Sequence, residues 1–423
     1  MKKLFFLTMM VAIFAASSVF AQKSTLRDAK RSLGSNDLNE ARTLIKQAAE
    51  NAETANDPET WKVFGDIGNK AFDNERTNQM LGKQANDQVM YDGLLESYLP
   101  YLKADSLGEL PNEKGRVRNK FRKDIAGILK ANHPFYINGG VFYNEKQEYS
   151  KASDFFETYW NIPTLPMFAG QKDAFLIDST YQTIKYYAII TAIQAKDHKR
   201  ALSMLERTAN EPFIENSAYK ESDVYELMAS EYMNLGDSTK FVETLYKGAE
   251  RFPQNGYFSG NIVNVLVRQG KNKEAIEYLD KAIASDPQNP DYYRVKGALF
   301  SENKDYKEAE NQFKKSLEIN PDFESALEGL AVLYILQAQD IKEKTATMSD
   351  RKLQLENDKK TVEFYQKSLP HLEKYTNLLK ARSAVNTEID SALMKLRNVY
   401  YNLSMMGVDK SAELKQVEAE LGL

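Results

Sequence analysis

The pattern of apolar and polar residues between 222 and 323 repeats itself every 34 residues, and Pro253, Pro287 and Pro321 mark that interval. Within each interval the apolar residues fall three and four positions apart, which is the spacing of amphipathic α-helices. A fixed period of this length is typical of a solenoid, in which each repeat buries its apolar face against its neighbours. The pattern predicts three helical hairpins, at 222–255, 256–289 and 290–323.

Small residues recur within this pattern at positions where two helices must approach closely. Ala275 and Ala309 keep the 34-residue interval, and Gly297 precedes Ala309 by twelve residues. Gly140 and Ala152 show the same twelve-residue spacing further towards the N-terminus. Because a small side chain lets helix backbones come together, these five residues are predicted to pack between the helices of a hairpin.

Outside 211–323 the helical pattern continues less regularly. Residues 22–210 are expected to form divergent hairpins, and the proline-containing stretch from Asn161 to Gly170 is expected to be an irregular loop. That loop is either a binding loop or an insertion between hairpins. In residues 324–423 no turn arrives on schedule, so two helices are expected to be extended.

The extended C-terminal helices are predicted to break near Met348, with Ser349 as the N-cap of the next helix. A final helix pair is expected at 387–406 and 410–421, and its charged surface suits the cap of a solenoid. Gly407 and Asp409 are the expected cap residues between those two helices.

A basic cluster occupies residues 114–123. One reading is a patch for anions or nucleic acid. However, Val117, Phe121, Ile125 and Ile128 follow one another at helical intervals, so the favoured interpretation is the solvated face of an amphipathic helix.

The copy that starts at Pro290 resembles a tetratricopeptide repeat, because the signature positions of that family are matched by residue type. The matching residues are Tyr293, Gly297, Phe300, Ala309, Phe313 and Pro321. The resemblance implies an all-α, right-handed superhelical α-solenoid, and the whole chain resembles exported repeat proteins of the Bacteroidetes. One departure is Phe241, which stands where the family has a small residue and implies either a wider helix gap or a shifted register.

In this family the first helices of successive repeats line a groove that receives a peptide or helix from a partner. The resemblance places five candidate groove residues there: Glu226, Ser230, Tyr257, Asn264 and Arg294. Some members hold a partner's terminal carboxylate with lysines, an arginine and asparagines. Only Asn264 keeps a matching type here, while Glu226 and Asp291 have the opposite charge, so this binding mode is not expected.

The N-terminus has the pattern of an export signal. Lys2 and Lys3 precede an apolar run that is too short for a membrane span, and Ala21 ends a plausible cleavage site. Residues 1–21 are therefore predicted to be a signal peptide, with an uncleaved anchor as the alternative. No later stretch is long and apolar enough to span a membrane, so the mature chain is expected to be soluble.

The composition of the chain excludes several kinds of functional site. The sequence contains no cysteine, which excludes disulfides and thiolate metal sites. The net charge is −4, and −6 without Lys2 and Lys3, since 54 basic residues then face 60 acidic ones; this balance argues against a nucleic-acid partner. The three histidines lie in unrelated segments and no phosphate loop or hydrolase motif is present. No catalytic, cofactor or metal site is predicted.

The sequence favours a non-enzymatic scaffold that binds a protein or peptide partner and acts in the periplasm of a Gram-negative bacterium, with association with the envelope as an open alternative. A second hypothesis is a periplasmic or surface protein that binds glycans or nutrients, since helical repeats also serve that role. Such proteins resemble lipoproteins with exposed tryptophans, whereas this chain has no cysteine and only Trp61 and Trp160. An enzyme with accessory repeats would need a catalytic domain, and no segment has that pattern.

Overall fold

The computed structural model describes residues 24–112, 114–171 and 174–423. Within those ranges every regular element is a helix and no strand occurs. The predicted all-α helical-repeat fold is therefore confirmed. The predicted signal peptide, residues 1–21, lies outside the described residues. No helix of the described residues combines the length and the hydropathy that a membrane crossing requires.

The chain divides into two compact units after Asp237. The described helices of the first unit are α1 (24–34), α2 (Leu38–Glu50), α3 (Pro58–Met80), α4 (Asp87–Gly108), α5 (Arg122–Glu145), α6 (Tyr149–Asn161), α7 (Ser179–Gln194), α8 (His198–Ala209) and α9 (Glu221–Asn234). Those of the second unit are α10 (Ser238–Arg251), α11 (Gly256–Arg268), α12 (Asn272–Ser285), α13 (Pro290–Glu302), α14 (Tyr306–Ile319), α15 (Glu324–Ala346), α16 (Arg351–Ala381), α17 (Asn386–Met405) and α18 (Ser411–Glu420). The division falls between the two helices of the predicted repeat 222–255.

Successive helices pack in pairs, and the most extensive pairs are α3 with α4, α15 with α16, and α13 with α14. Consecutive pairs then pack on one another, as α4 does on α5 and α14 on α15. Because contacts run mainly between neighbours in sequence, each unit is an array of hairpins with an elongated core.

The turns inside the hairpins share one design. A residue with positive φ follows the first helix, and an aspartate often comes next: Asn36 precedes Asp37, and Lys304 precedes Asp305. The aspartate's backbone N–H reaches back five residues, as from Asp305 to the Phe300 carbonyl at 2.9 Å, which is a Schellman closure. Its side chain then accepts from the backbone of the second helix. The same residues therefore end one helix and begin the next.

Glycines set the closest approaches between helices. A Cβ on Gly68 would lie 2.7 Å from the Gly93 carbonyl, and one on Gly65 would lie 2.5 Å from the Tyr101 ring. These distances are shorter than van der Waals contact, so α3 and α4 meet almost backbone to backbone. Gly140, predicted from its spacing, lies against the ring of Phe156 on α6 in the same way.

The predicted packing residues lie in the interior. Gly140 and Gly297 are buried, and Ala152, Ala275 and Ala309 are 0% exposed. A Cβ on Gly297 would approach Phe313 of the same hairpin to 3.1 Å.

Tyrosines of first helices bond to the second helix of the hairpin before them. The Tyr334 hydroxyl donates to Glu310 at 2.9 Å, and the Tyr400 hydroxyl donates to Glu373 at 2.7 Å. Tyr232 makes the same contact with Glu206. Burial, with the carboxylate second, raises the pKa of Tyr334 and Tyr400. Residues that the repeat pattern marks as packing sites thus also fix one hairpin on the next through a polar contact.

Three local expectations about the loops need revision or detail. The helix after Met348 begins at Arg351, and its N-cap is Asp350 rather than Ser349, because the Asp350 carboxylate accepts from the backbone of Lys352 and Leu353. Likewise Lys410 is the cap residue before α18, although Asp409 accepts from the Ser411 backbone. Gly407 has φ +84°, as its expected role after α17 requires.

The segment from Asn161 to Gly170 is irregular, as predicted, and contains two short 3-10 turns, Ile162–Thr164 and Pro166–Phe168. Ile162, Met167 and Phe168 are buried, and both turns contact α5. The loop is therefore packed against the first unit over these residues.

The helical interpretation of the basic cluster is wrong for residues 114–121, whereas Arg122, Lys123, Ile125 and Ile128 lie on α5. Helix α5 begins only at Arg122, and the described residues from 114 to 121 are outside any helix. Val117 is half exposed instead of lying on a buried stripe. The spacing failed because the side chain of Asn119 bonds to the backbone of Phe121 and Arg122 and so defines a later helix start.

Candidate interaction surface

The first helices of the hairpins present one side to solvent, and we call that side the first-helix surface. In the second unit it comprises the exposed sides of α11, α13, α15 and α17. Asn264 on α11 is exposed, and Arg294 on α13 and Tyr257 on α11 are half-buried. Glu226, half-buried, and Ser230, exposed, belong to α9 of the first unit. The structure therefore places three of the five predicted groove residues within one unit.

Two of those predicted residues are engaged within the protein. The Arg294 guanidinium pairs with Asp291 at 2.5 Å, one turn earlier on α13. The Tyr257 ring packs edge-on against Phe258, with centroids 5.4 Å apart. A partner that used the Arg294 charge would have to compete with Asp291.

Helix α17 brings an apolar stripe to the first-helix surface that the sequence analysis missed. Met394, Tyr401 and Met405 are 49%, 50% and 71% exposed, and exposed Asn398 lies among them. Their spacing of four, three and four residues places all four on one face of the helix. We call these four residues the α17 stripe.

The opposite face of α17 faces the core. Leu393, Leu396, Val399 and Leu403 are at most 4% exposed and belong to a cluster shared with α15 and α16. Helix α17 is therefore apolar on two sides, one buried and one in solvent. A helix that packs on one core needs only the buried apolar side, so packing does not explain the apolar side in solvent.

Polar contacts fix α17 beside α15. Lys395 pairs with Glu328 at 3.1 Å, and Lys342 donates to Asn402 at 2.9 Å. Two aliphatic residues lie on the solvent side of α15: Val332, which is half-buried, and Leu336, which is 37% exposed. The α17 stripe thus extends a surface that begins on α15.

Asp340, near the C-terminal end of α15, is engaged within the protein. The Tyr306 hydroxyl donates to Asp340 at 2.7 Å, and this bond lowers the pKa of Asp340, while burial raises the pKa of Tyr306 to about 12. Lys304 lies 3.5 Å from the same carboxylate. Asp340 is thus occupied, whereas the α17 stripe offers apolar area to a partner.

Helix α18 is the charged member of the final pair, and the role of that pair as a cap stays a prediction. Val417 is the one buried residue of α18, and its glutamates pair with basic residues of the preceding helices, as Glu420 does with Lys380 at 2.5 Å and Glu418 with Arg397 at 2.9 Å. The sequence does contain a signal for the α17 stripe, since Met394, Tyr401 and Met405 recur at helical spacing between the core positions.

The histidines form no shared site. His133 is buried, its Nε2 lies 2.9 Å from the Tyr159 carbonyl, and burial lowers its pKa to about 4. His198 lies 2.7 Å from the buried Glu231. Within the described ranges no group of three or more histidine and carboxylate side chains could hold a metal ion.

The fold and this surface define a helical-repeat protein whose hairpins stack in an array. Residues 261–337, which run from within α11 to within α15, match the family model described as tetratricopeptide repeat. The chain therefore contains tetratricopeptide repeats, as its sequence pattern predicted, and this fold is typical of scaffolds for protein interaction.

Known proteins resemble the chain in part. A UDP-N-acetylglucosamine–peptide N-acetylglucosaminyltransferase of Giardia intestinalis is 32% identical over 84 residues, and this match covers 20% of the chain and only 6% of the length of that relative. The C-terminal part of a TPR repeat-containing protein from Cytophaga hutchinsonii is 17% identical with a TM-score of 0.35, over 62% of this chain and 93% of that one. The type IV pilus biogenesis factor PilW is 18% identical with a TM-score of 0.35, over 57% and 91%.

Proposed function

We propose that the protein is an exported, non-enzymatic scaffold that holds a protein partner on the first-helix surface of its second unit. The observation that supports this most directly is the α17 stripe, because Met394, Tyr401 and Met405 together expose a large apolar area beside paired charges. Clustered apolar side chains of this kind mark sites of protein association more often than scattered ones do. The N-terminal pattern of residues 1–21 supports export to the periplasm.

The partner that fits this surface is a helix with apolar anchors three or four residues apart. Methionine side chains are flexible and polarizable, so Met394 and Met405 can adapt to several anchor shapes. Tyr401 supplies a rigid ring with a hydroxyl at its end, which suits the centre of such a contact. The alternative hypothesis of glycan binding is less favoured, because Trp160 is fully buried and Trp61 is half-buried, with its indole N–H donating to the Ala55 carbonyl.

Site-directed photo-crosslinking tests this function. A photoreactive phenylalanine analogue at position 401 should capture a defined protein partner in the native envelope. The matched control is the same analogue at Leu353 on α16, which is 47% exposed and lies outside the first-helix surface. With the purified partner, Met405→Asp should weaken binding about tenfold or more, because a carboxylate replaces an apolar anchor. Leu355→Asp, at 49% exposure, should leave it unchanged.

Two outcomes would contradict the proposal. Equal capture at positions 401 and 353 would show that the α17 stripe has no special role. Capture of a second copy of this chain alone at position 401 would make the stripe a self-association surface instead of a scaffold for other proteins.

A further inference from the structure

Five basic side chains lie together on the surface of the first unit, before and at the start of α5. Residues 114–121 form the loop that we call the basic loop, and it contains Lys114, Arg116, Arg118 and Lys120, all exposed. Exposed Lys123 follows on the first turn of α5. Among the described residues, none of these five cations forms an ion pair. The chain as a whole has a net charge of −4, so the basic loop is a local reversal of sign.

The basic loop has a defined conformation. At one end, the Asn112 side chain accepts from the backbone N–H groups of Lys114 and Arg116 at 3.0 and 3.1 Å. At the other end, Asn119 donates to the Asp105 carboxylate at 2.7 Å, and Arg122 pairs with the same carboxylate at 2.8 Å. The hydrogen bond to Asp105 raises the pKa of Arg122.

These contacts divide the basic residues into two groups. Arg122 is committed to Asp105 and to Glu109, so it holds the structure together. The remaining five are exposed and accessible to an anionic partner, and Lys120 also adds to the stronger effect of Lys30 that lowers the pKa of Glu59. Since their backbone is held in place by Asn112 and Asn119, less conformational entropy is lost when they bind than in a free chain.

Two exposed aliphatic side chains lie beside the cations. Leu110, just before the loop, is 62% exposed, and Val117, between Arg116 and Arg118, is 51% exposed. The aromatic residue of the loop, Phe121, is half-buried, with the Lys120 ammonium 4.7 Å from its ring centre. The surface thus combines positive charge with small apolar projections and offers no exposed ring for stacking bases.

We propose that the basic loop docks the protein on an anionic phospholipid surface. The five cations would lie among phosphate headgroups, and Leu110 and Val117 would enter the boundary between headgroups and acyl chains. A nucleic acid would use the charges but would gain little from the aliphatic side chains. An acidic peptide would use the same charges, and the polyglutamate arm of the experiment separates it from a lipid surface. This site lies in the first unit and is independent of the α17 stripe.

Vesicle co-sedimentation tests the proposal on the full chain. We expect binding to vesicles of phosphatidylcholine with one-third phosphatidylglycerol, weaker binding at high salt, and little binding to phosphatidylcholine alone. Arg116→Gln with Arg118→Gln should lower the partition coefficient about 30-fold. Each basic residue near an anionic surface contributes about 1 kcal/mol to binding, and the double variant removes two of them. Val117→Ser should lower it several-fold at constant charge.

The matched control is Lys359→Gln with Lys360→Gln, which removes the same charge from exposed positions on α16 of the second unit. It should bind like the unchanged protein. All variants carry the same N-terminal run, so its contribution to partitioning is the same in each. Equal loss in both double variants, or no loss in either, would overturn the proposal. A different outcome is that the unchanged protein binds no vesicles but binds a single-stranded oligonucleotide or polyglutamate. If Arg116→Gln with Arg118→Gln then abolished that binding, the loop would be assigned to that partner.

Discussion

At the scale of single residues, the small positions of the repeat pattern have a measurable role. Gly140 lies in α5 with the Phe156 ring directly where a side chain would begin, whereas Gly127 in the same helix has open space around it. We expect Gly140→Ala to destabilise the protein by about 1–3 kcal/mol through overpacking. Gly127→Ala should be neutral or stabilise by up to about 1 kcal/mol, because alanine favours helix. Urea unfolding of both variants compares them, and equal effects would mean that the α5 and α6 contact is loose.

His133 gives the first unit a dependence on pH. Burial lowers its pKa from 6.5 to about 4, so between these values the unfolded chain binds a proton that the folded protein excludes. Stability is therefore unaffected by this group above pH 6.5 and falls as the pH drops towards 4. Between pH 7 and 5 the loss should be about 2 kcal/mol.

The His133→Gln variant isolates this term, because it lacks the titrating group while other ionisable residues stay the same. Its unfolding free energy should fall less than that of the unchanged protein over the same pH range. Parallel curves for the two proteins would show that folding does not lower the pKa of His133.

At the scale of helices, periodic spacing predicted existence and type well, and local polar contacts decided the boundaries. The helices between 222 and 323, and the long helices α15 and α16, follow from apolar spacing alone. The start of α5 could not be found this way, because Val117 and Phe121 fit a helical stripe. The start lies at Arg122 because Asn119 accepts from the backbone of Phe121 and Arg122. Asn119 and Arg122 are in turn held by Asp105, which is distant in sequence from the helix.

The candidate surface shows the same limit from another side. Family resemblance placed Asn264 and Arg294 on first helices, and the structure has them there. The resemblance could not predict the ion pair with Asp291 that occupies Arg294. The α17 stripe was not predicted, because apolar residues on two faces of a helix have the same sequence pattern as one broad buried face. Only the burial of Leu396 and the exposure of Met405 separate the two faces.

At the scale of the whole molecule, an array whose contacts run mainly between neighbouring helices should lose stability locally. Leu372 on α16 is 0% exposed and belongs to the cluster formed with α15 and α17. Leu372→Ala should therefore cost about 2–5 kcal/mol in that region, from lost burial and the cavity left behind. In a compact domain with one shared core the same loss would be felt everywhere, but nearest-neighbour coupling confines it.

Hydrogen exchange followed by mass spectrometry distinguishes these cases. In Leu372→Ala we expect faster exchange in α15 to α18, with α11 and α12 of the same unit and α3 to α6 of the first unit unchanged. Leu353→Ala, an exposed leucine on the same helix, should alter neither set. Faster exchange throughout the chain would contradict the nearest-neighbour picture, because it would mean that the hairpins unfold as one cooperative body.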